Sequence, residues 1–168
     1  MTSTSALAVA RPIIRGLTVL NILYAVGLAV LLGTSVFIAG WPERPLGFDL
    51  THAHPQLSLG LHVIIVIGIF GAGIVHTILR RLLAIVDTVR GGDPFIVENA
   101  RRLDAIAWSV LVLEVLRMFV LAIAAVVWEP GRLGGFSFVP WLAVLLLFVL
   151  SGVFAQGARM RADLEGTV

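Results

Sequence analysis

Long apolar segments separated by short polar connections make up most of this chain of 168 residues. A hydrocarbon core about 30 Å thick is crossed by roughly 20 predominantly apolar residues in a helix, with a range of about 17–25. Four segments reach this length, and they predict spans over residues 13–39, 59–79, 103–127 and 138–154. The pattern therefore predicts an all-α polytopic membrane protein, with one membrane domain over residues 1–168 and an antiparallel bundle of four transmembrane helices.

The second span continues beyond its apolar part as an amphipathic helix. Apolar residues recur at spacings of three and four from Leu82 to Val89, so the helix is expected to leave the bilayer and extend to residue 89. The glycine pair at 91–92 should end it. Asp93 followed by Pro94 is typical of a helix start, which predicts that the third helix begins there.

The distribution of arginine predicts the orientation. All the basic residues except histidine are arginines, and only 13% of the chain is charged, against about 25% in a soluble domain. Two arginines, Arg44 and Arg132, lie in the two outer connections, and Arg117 lies within a span. The other nine lie on the side of the termini and the central connection, which predicts that this side is cytoplasmic: Arg11, Arg15, Arg80, Arg81, Arg90, Arg101, Arg102, Arg159 and Arg161.

The sequence contains no pattern typical of an enzyme. There is no cysteine, which excludes disulfides, thiolate metal sites and cysteine nucleophiles. Walker, Rossmann and HExxH motifs and a recognisable Ser-His-Asp set are also missing. We therefore expect no catalytic residues and no cofactor. The arginines flank apolar spans, so we interpret the high pI as a topology signal and expect no direct binding of nucleic acid.

Two charged residues lie near the middle of the third span. A charge at the centre of a bilayer costs about 2.5–3.5 kcal/mol on insertion scales, so Glu114 and Arg117 must face protein or water. Their spacing of three lets them pair on one helix face. They either contact a ligand, proton or ion within the bundle, or form a structural ion pair. Asn21 in the first span is a candidate hydrogen-bond partner for either side chain.

Histidines offer two further candidate sites. His62 and His76 lie on nearly one face of the second span, as in bis-histidine haem proteins, although haem would need two copies of this span or another ligand. The alternative is that each makes a polar contact near a membrane surface. His52 and His54, with Asp49 nearby, could bind a metal ion in the first outer connection, but a solvated loop is the favoured interpretation.

The central connection is the best candidate for a partner surface. Phe95, Ile96 and Val97 are three adjacent apolar residues in a connection predicted to be cytoplasmic. They either present a docking patch or fold onto the base of the bundle, with the nearby arginines on anionic headgroups. The residues predicted to contact a partner are Asp93, Pro94, Phe95, Glu98, Asn99, Arg101 and Arg102.

The same connection carries a family resemblance. The segments Arg90–Phe95 and Glu98–Leu103, together with the C-terminal Leu147-Phe148, Phe154, Gly157, Leu164 and Thr167-Val168, resemble the domain-of-unknown-function family 2975 of small four-span bacterial membrane proteins. Its members carry a Gly-x-Pro-Phe turn and a Glu-Asn pair, and this chain has Ile96-Val97 where members often have Ser-Pro. Because members are often encoded beside a Cro-type helix-turn-helix repressor, the resemblance implies such a partner and a bacterial inner membrane.

Three functional hypotheses follow. The first is a non-enzymatic regulatory protein that binds a small helix-turn-helix transcription factor through the central connection. The second is a small transporter or channel subunit, forming a homo-oligomer and using Glu114 and Arg117. The third is a dimeric haem protein using His62 and His76.

Overall fold

The computed structural model describes residues 3–38, 55–127 and 137–165, and the regular elements in these ranges are four α-helices. Each helix is long and apolar enough to cross a membrane, which confirms the prediction of an all-α, four-span protein. The helices are α1 (Ser3–Phe37), α2 (Pro55–Arg90), α3 (Val97–Val127) and α4 (Val139–Glu165).

All four helices extend beyond the predicted spans at the end that carries most of the arginines, which we call the charged end. The helix α1 begins at Ser3 rather than near residue 13, α3 begins at Val97 rather than near residue 103, and α4 continues to Glu165 rather than ending near residue 154. The helix α2 continues to Arg90, one residue beyond its predicted amphipathic extension. Hydropathy locates the hydrocarbon part of a helix, whereas backbone hydrogen bonding can continue into the headgroup region and beyond. In α1 the extension makes an ion pair, because Arg11 Nε lies 3.3 Å from Asp87 Oδ1 of α2.

The helices pack in chain order and run antiparallel. The helix α1 packs on α2, α2 on α3, and α3 on α4, while the described parts of α1 and α4 do not contact each other. The bundle is therefore open between α1 and α4. Hydrogen bonds cross all three helix–helix contacts. Asn21 of α1 donates to the Ala72 carbonyl of α2, Arg81 of α2 donates to the Ala105 carbonyl of α3, and Ser151 of α4 donates to the Ala100 carbonyl of α3.

Small residues form much of the contact between the helices. Glycine and alanine let helix backbones approach closely where lipid supplies no hydrophobic driving force. Gly68 shows this directly, because a Cβ at this position would lie 2.8 Å from Leu28 Cδ1 of α1. The buried alanines are Ala72, Ala100, Ala107, Ala124 and Ala158, and large apolar side chains are mostly on the outer surface.

Candidate functional site

The charged residues of α3 form an ion pair inside the membrane-spanning region. Arg117 donates through Nη2 to Glu114 Oε1 at 2.6 Å and through Nε to Oε2 at 3.0 Å. Glu114 is buried, with 4% of its surface exposed. The two-point contact matches the expectation from their spacing, and it neutralises both charges within one helix turn.

Arg117 also lines a cavity of about 330 Å³ between α1, α2 and α3. Asn21 and Tyr24 line it from α1, and Gly68 and Gly71 line it from α2. The Asn21 amide donates to the carbonyl of Ala72 at 2.9 Å, so the structure places this side chain in the same cavity as Arg117 but bonded to the backbone of α2. Asn21, Tyr24 and Arg117 are therefore the polar residues of a cavity that is otherwise lined by apolar side chains and glycines.

The third helix begins at Val97, so the prediction of a start at Asp93-Pro94 is wrong. The end of α2 accounts for the difference. Gly92 has a φ of +91°, and the Asp93 amide donates back to the Thr88 carbonyl at 3.2 Å. Because this bond closes α2, Asp93 belongs to the end of one helix and cannot cap the next.

Asn99 joins this corner to both helices. Its side chain is fully buried, with 0% exposed. Its Nδ2 donates to Thr88 Oγ1 at 2.8 Å and to the Pro94 carbonyl at 3.0 Å, and its Oδ1 accepts from Arg102 Nη1 at 2.8 Å. One amide thus connects α2, the central connection and α3.

The central connection is also attached to α4. Asp93 forms an ion pair with Arg161, and the rings of Phe95 and Phe154 have centroids 5.2 Å apart. The Phe95 ring lies over Gly157, where an added Cβ would come within 2.8 Å of Phe95 Cδ1. Only glycine leaves room for this contact, so the ring has a defined position against α4.

These contacts divide the residues predicted for partner docking into two groups. Asn99 is buried, and Pro94 and Arg102 are half-buried, so these three hold the connection in place. The others are exposed: Asp93, Phe95, Glu98 and Arg101. Phe95 packs on α4 with one part of its ring and leaves 43% of its surface exposed. Part of the Phe95 ring therefore folds onto the base of the bundle, which is one of the two interpretations of the sequence. The other part is exposed, as the docking interpretation requires.

The histidines do not form a ligand set in the described part of the chain. His62 and His76 are both half-buried on α2, and no other described helix carries a histidine. His52 and His54 lie outside the described residues. Where the chain is described, no group of three His, Cys, Asp or Glu side chains is close enough to hold a metal ion.

Sequence reasoning missed Thr88 and the role of Arg81. Thr88 bonds to Asn99, and Arg81 Nη1 donates to the Ala105 carbonyl at 2.9 Å and to Ser109 Oγ at 3.3 Å. In the sequence, Arg81 is only one of the nine arginines that predict the orientation. The sequence does contain a signal for Thr88. If α2 and α3 pack antiparallel on either side of the glycine pair at 91–92, Thr88 lies opposite Asn99.

The fold and the intramembrane ion pair define a four-helix integral membrane protein. The chain belongs to the family described as "Protein of unknown function (DUF2975)", whose model matches residues 4–168. No curated protein and no solved structure matches the chain.

Proposed function

We propose that this protein is a non-enzymatic regulatory protein of the bacterial inner membrane, which binds a small helix-turn-helix DNA-binding protein at its charged end. The observation that carries the proposal is the pair of exposed apolar side chains on the central connection and the start of α3. Phe95 is 43% exposed and Val97 is 49% exposed, and the connection that presents them is held by contacts with three helices.

Contact with lipid does not explain these two side chains. Arg81 directly follows the apolar part of α2 and donates to the Ala105 carbonyl, so Ala105 lies on α3 at the level where the apolar part of α2 ends. Val97 lies eight residues before Ala105, or about 12 Å further along α3. Apolar groups at that distance beyond an arginine level face water unless a protein covers them. Exposed Glu98 and Arg101 supply the polar rim that surrounds the apolar centre of many interfaces.

The rigidity of the corner favours binding of a folded partner. The side chain of Asn99, the closing turn at Gly92 and the ion pair of Asp93 with Arg161 fix the corner before any partner arrives. A preformed surface loses little conformational entropy on binding. The class of partner rests on the family resemblance, since members are often encoded beside a Cro-type helix-turn-helix repressor.

The test is binding of the helix-turn-helix protein encoded beside this gene to the purified full chain in detergent. Phe95→Ala should weaken binding about tenfold or more, as for a central aromatic contact. Phe37→Ala is the matched control, because Phe37 is 87% exposed at the opposite end of α1 and should leave binding unchanged. Val97→Ser is a second test variant, because Phe95 also packs on α4 and its loss can disturb that contact. Val97→Ser should also weaken binding. Equal binding by all three variants and the unsubstituted chain would refute the proposal.

The orientation has a separate test. The chain contains no cysteine, so Asp93→Cys creates a single reactive thiol. A membrane-impermeant maleimide should label it in inside-out vesicles and leave it unlabelled in intact spheroplasts. Labelling from the outside would place the charged end in the periplasm, where no DNA-binding protein could reach it.

A second function is supported by the buried carboxylate beside the cavity. A small oligomeric transporter or channel would use Glu114 as a proton or ion site and Arg117 as its counter-ion, facing the cavity of about 330 Å³. Proteoliposomes provide the test, with flux measured for the unsubstituted chain and for Glu114→Gln. Flux that is lost in Glu114→Gln would support transport, and flux that is unchanged would count against it.

A further inference from the structure

A second cavity, of about 300 Å³, lies between α2 and α3 at the charged end. Three arginines line it, together with a histidine and two small neutral residues: His76, Thr77, Arg80, Arg81, Ala84 and Arg102. The lining contains no carboxylate. A cavity with this composition has a strongly positive interior and attracts an anion.

Two of the three arginines of this cavity are held by neutral groups. Arg81 Nη1 donates to the Ala105 carbonyl and to Ser109, and Arg102 Nη1 donates to Asn99 Oδ1. Within the described ranges, no carboxylate pairs with Arg80, Arg81 or Arg102. Each of the two positioned guanidinium groups therefore keeps Nε and Nη2 as donors. Several fixed donors around one cavity suit an anion with several oxygens, such as a phosphate group.

The cavity lies where a headgroup would be. Arg80 and Arg81 directly follow the apolar part of α2, and His76 lies one turn deeper. Arg81 also lines a neighbouring groove of about 420 Å³, whose apolar walls include Phe70, Ile74, Trp108 and Val112. Phe70 is 11 residues from Arg81, so the groove extends about 16 Å along α2. Half of a hydrocarbon core is about 15 Å deep, so the groove matches one leaflet.

We propose that these two cavities form a binding site for one anionic phospholipid, with its phosphate among the three arginines and an acyl chain in the apolar groove. A free phosphate ion would contact the arginines alone, whereas a lipid would also place an acyl chain along Phe70 and Trp108, which are 65% and 56% exposed. Basic cavities between transmembrane helices bind such headgroups in other proteins. Asp104 lines the groove beside Arg81, and its negative charge weakens the binding of an anion.

The test uses the full chain, purified in a neutral detergent and titrated with phosphatidylglycerol or phosphatidylcholine while bound lipid is counted by native mass spectrometry. One phosphatidylglycerol should bind in preference to phosphatidylcholine. Arg80→Gln and Arg102→Gln should each weaken this binding about fivefold, and Asp104→Asn should strengthen it. Arg101→Gln is the control of equal charge, because Arg101 is exposed and does not line the cavity, and it should change the affinity less than twofold.

Arg80 is exposed and makes no hydrogen bond to the described residues, so Arg80→Gln should leave the fold intact. A loss of lipid affinity in this variant therefore reports on the site and not on misfolding. Equal effects of Arg80→Gln and Arg101→Gln would show that only the overall charge matters and would overturn the proposed site. Equal retention of phosphatidylcholine and phosphatidylglycerol would also overturn it.

A second measurement separates a lipid from a soluble phosphate. Phosphatidylglycerol brominated on its acyl chains, added at one molecule per protein, should quench the fluorescence of Trp108, and this quenching should disappear in Trp108→Phe. Glycerol phosphate at the same concentration should not displace the lipid. Displacement by glycerol phosphate, or quenching that is unchanged in Trp108→Phe, would show that the groove does not hold an acyl chain and would overturn the assignment to a lipid.

Discussion

Replacing Asn99 with alanine tests whether the corner between α2 and α3 is as rigid as its contacts indicate. The side chain is fully buried and has hydrogen-bond partners in Thr88, Pro94 and Arg102. The two bonds between neutral groups contribute about 1 kcal/mol each, and the bond from Arg102 contributes about 2 kcal/mol. Their sum gives a loss of about 4 kcal/mol in the free energy of unfolding.

A lower estimate comes from helices embedded in membranes. Hydrogen bonds between such helices average about 0.6 kcal/mol, which would give about 2 kcal/mol for the same three bonds. Asn99 lies near the end of α3, where water competes for exposed groups but does not reach this buried one. We therefore expect Asn99→Ala to cost between about 2 and 4 kcal/mol, with the upper part of this range favoured by the bond to a charged group.

The assay is equilibrium unfolding of the purified chain in mixed micelles, with the helical circular dichroism signal followed as sodium dodecyl sulfate is added. Glu98→Ala is the control, because Glu98 is exposed beside Asn99. A double-mutant cycle with Thr88→Val should give a coupling energy of about 1 kcal/mol, since the two side chains share one bond. A cost for Asn99→Ala within about 0.5 kcal/mol of that for Glu98→Ala would refute the reasoning.

Two other predictions concern the ion pair and the glycine contact. Glu114→Gln should destabilise the protein in the same unfolding assay, because it leaves Arg117 without its counter-charge. Adding Arg117→Gln should recover part of the loss, and a double variant less stable than both single variants would contradict this. Gly157→Ala should cost about 1–3 kcal/mol, because the new Cβ overlaps the ring of Phe95, whereas Gly152→Ala on the same helix has nothing within 4 Å of its new Cβ and should not destabilise. Equal stability of the two alanine variants would show that the Phe95 ring yields without cost.

Features that depend on local spacing were predictable from the sequence. Each apolar run is long enough to cross a membrane, so four helices followed from hydropathy alone. Glu114 and Arg117 lie on one helix face at any register of the bundle, so their pairing required only that α3 be a helix.

Features that depend on how the helices meet were not predictable. Asp93 followed by Pro94 is typical of a helix start, but its amide closes α2 and its carboxylate pairs with Arg161, 68 residues later. The arginine cavity requires the register between α2 and α3, which brings Arg102 beside Arg80 and Arg81. From the sequence alone these three residues indicated only the orientation of the chain. The absence of a carboxylate from their shared cavity depends on the three-dimensional packing of α2 and α3.

The geometry of α3 gives the proposed regulatory function a physical route. Asn99 and Arg117 are 18 residues apart, which is five turns of 3.6 residues, so both lie on one line along the helix, about 27 Å apart. Asn99 lies on α3, and its side chain is bonded to Thr88 of α2. Asp93 attaches the same corner to α4. We therefore expect a movement of α3 caused by a change in charge at Glu114 to be passed to the corner. The hydrogen bonds of Asn99 also limit how large a movement of α3 can reach the corner without breaking it. A displacement that costs more than the roughly 2–4 kcal/mol contributed by Asn99 breaks the corner, while a smaller one shifts Phe95 as part of an intact surface.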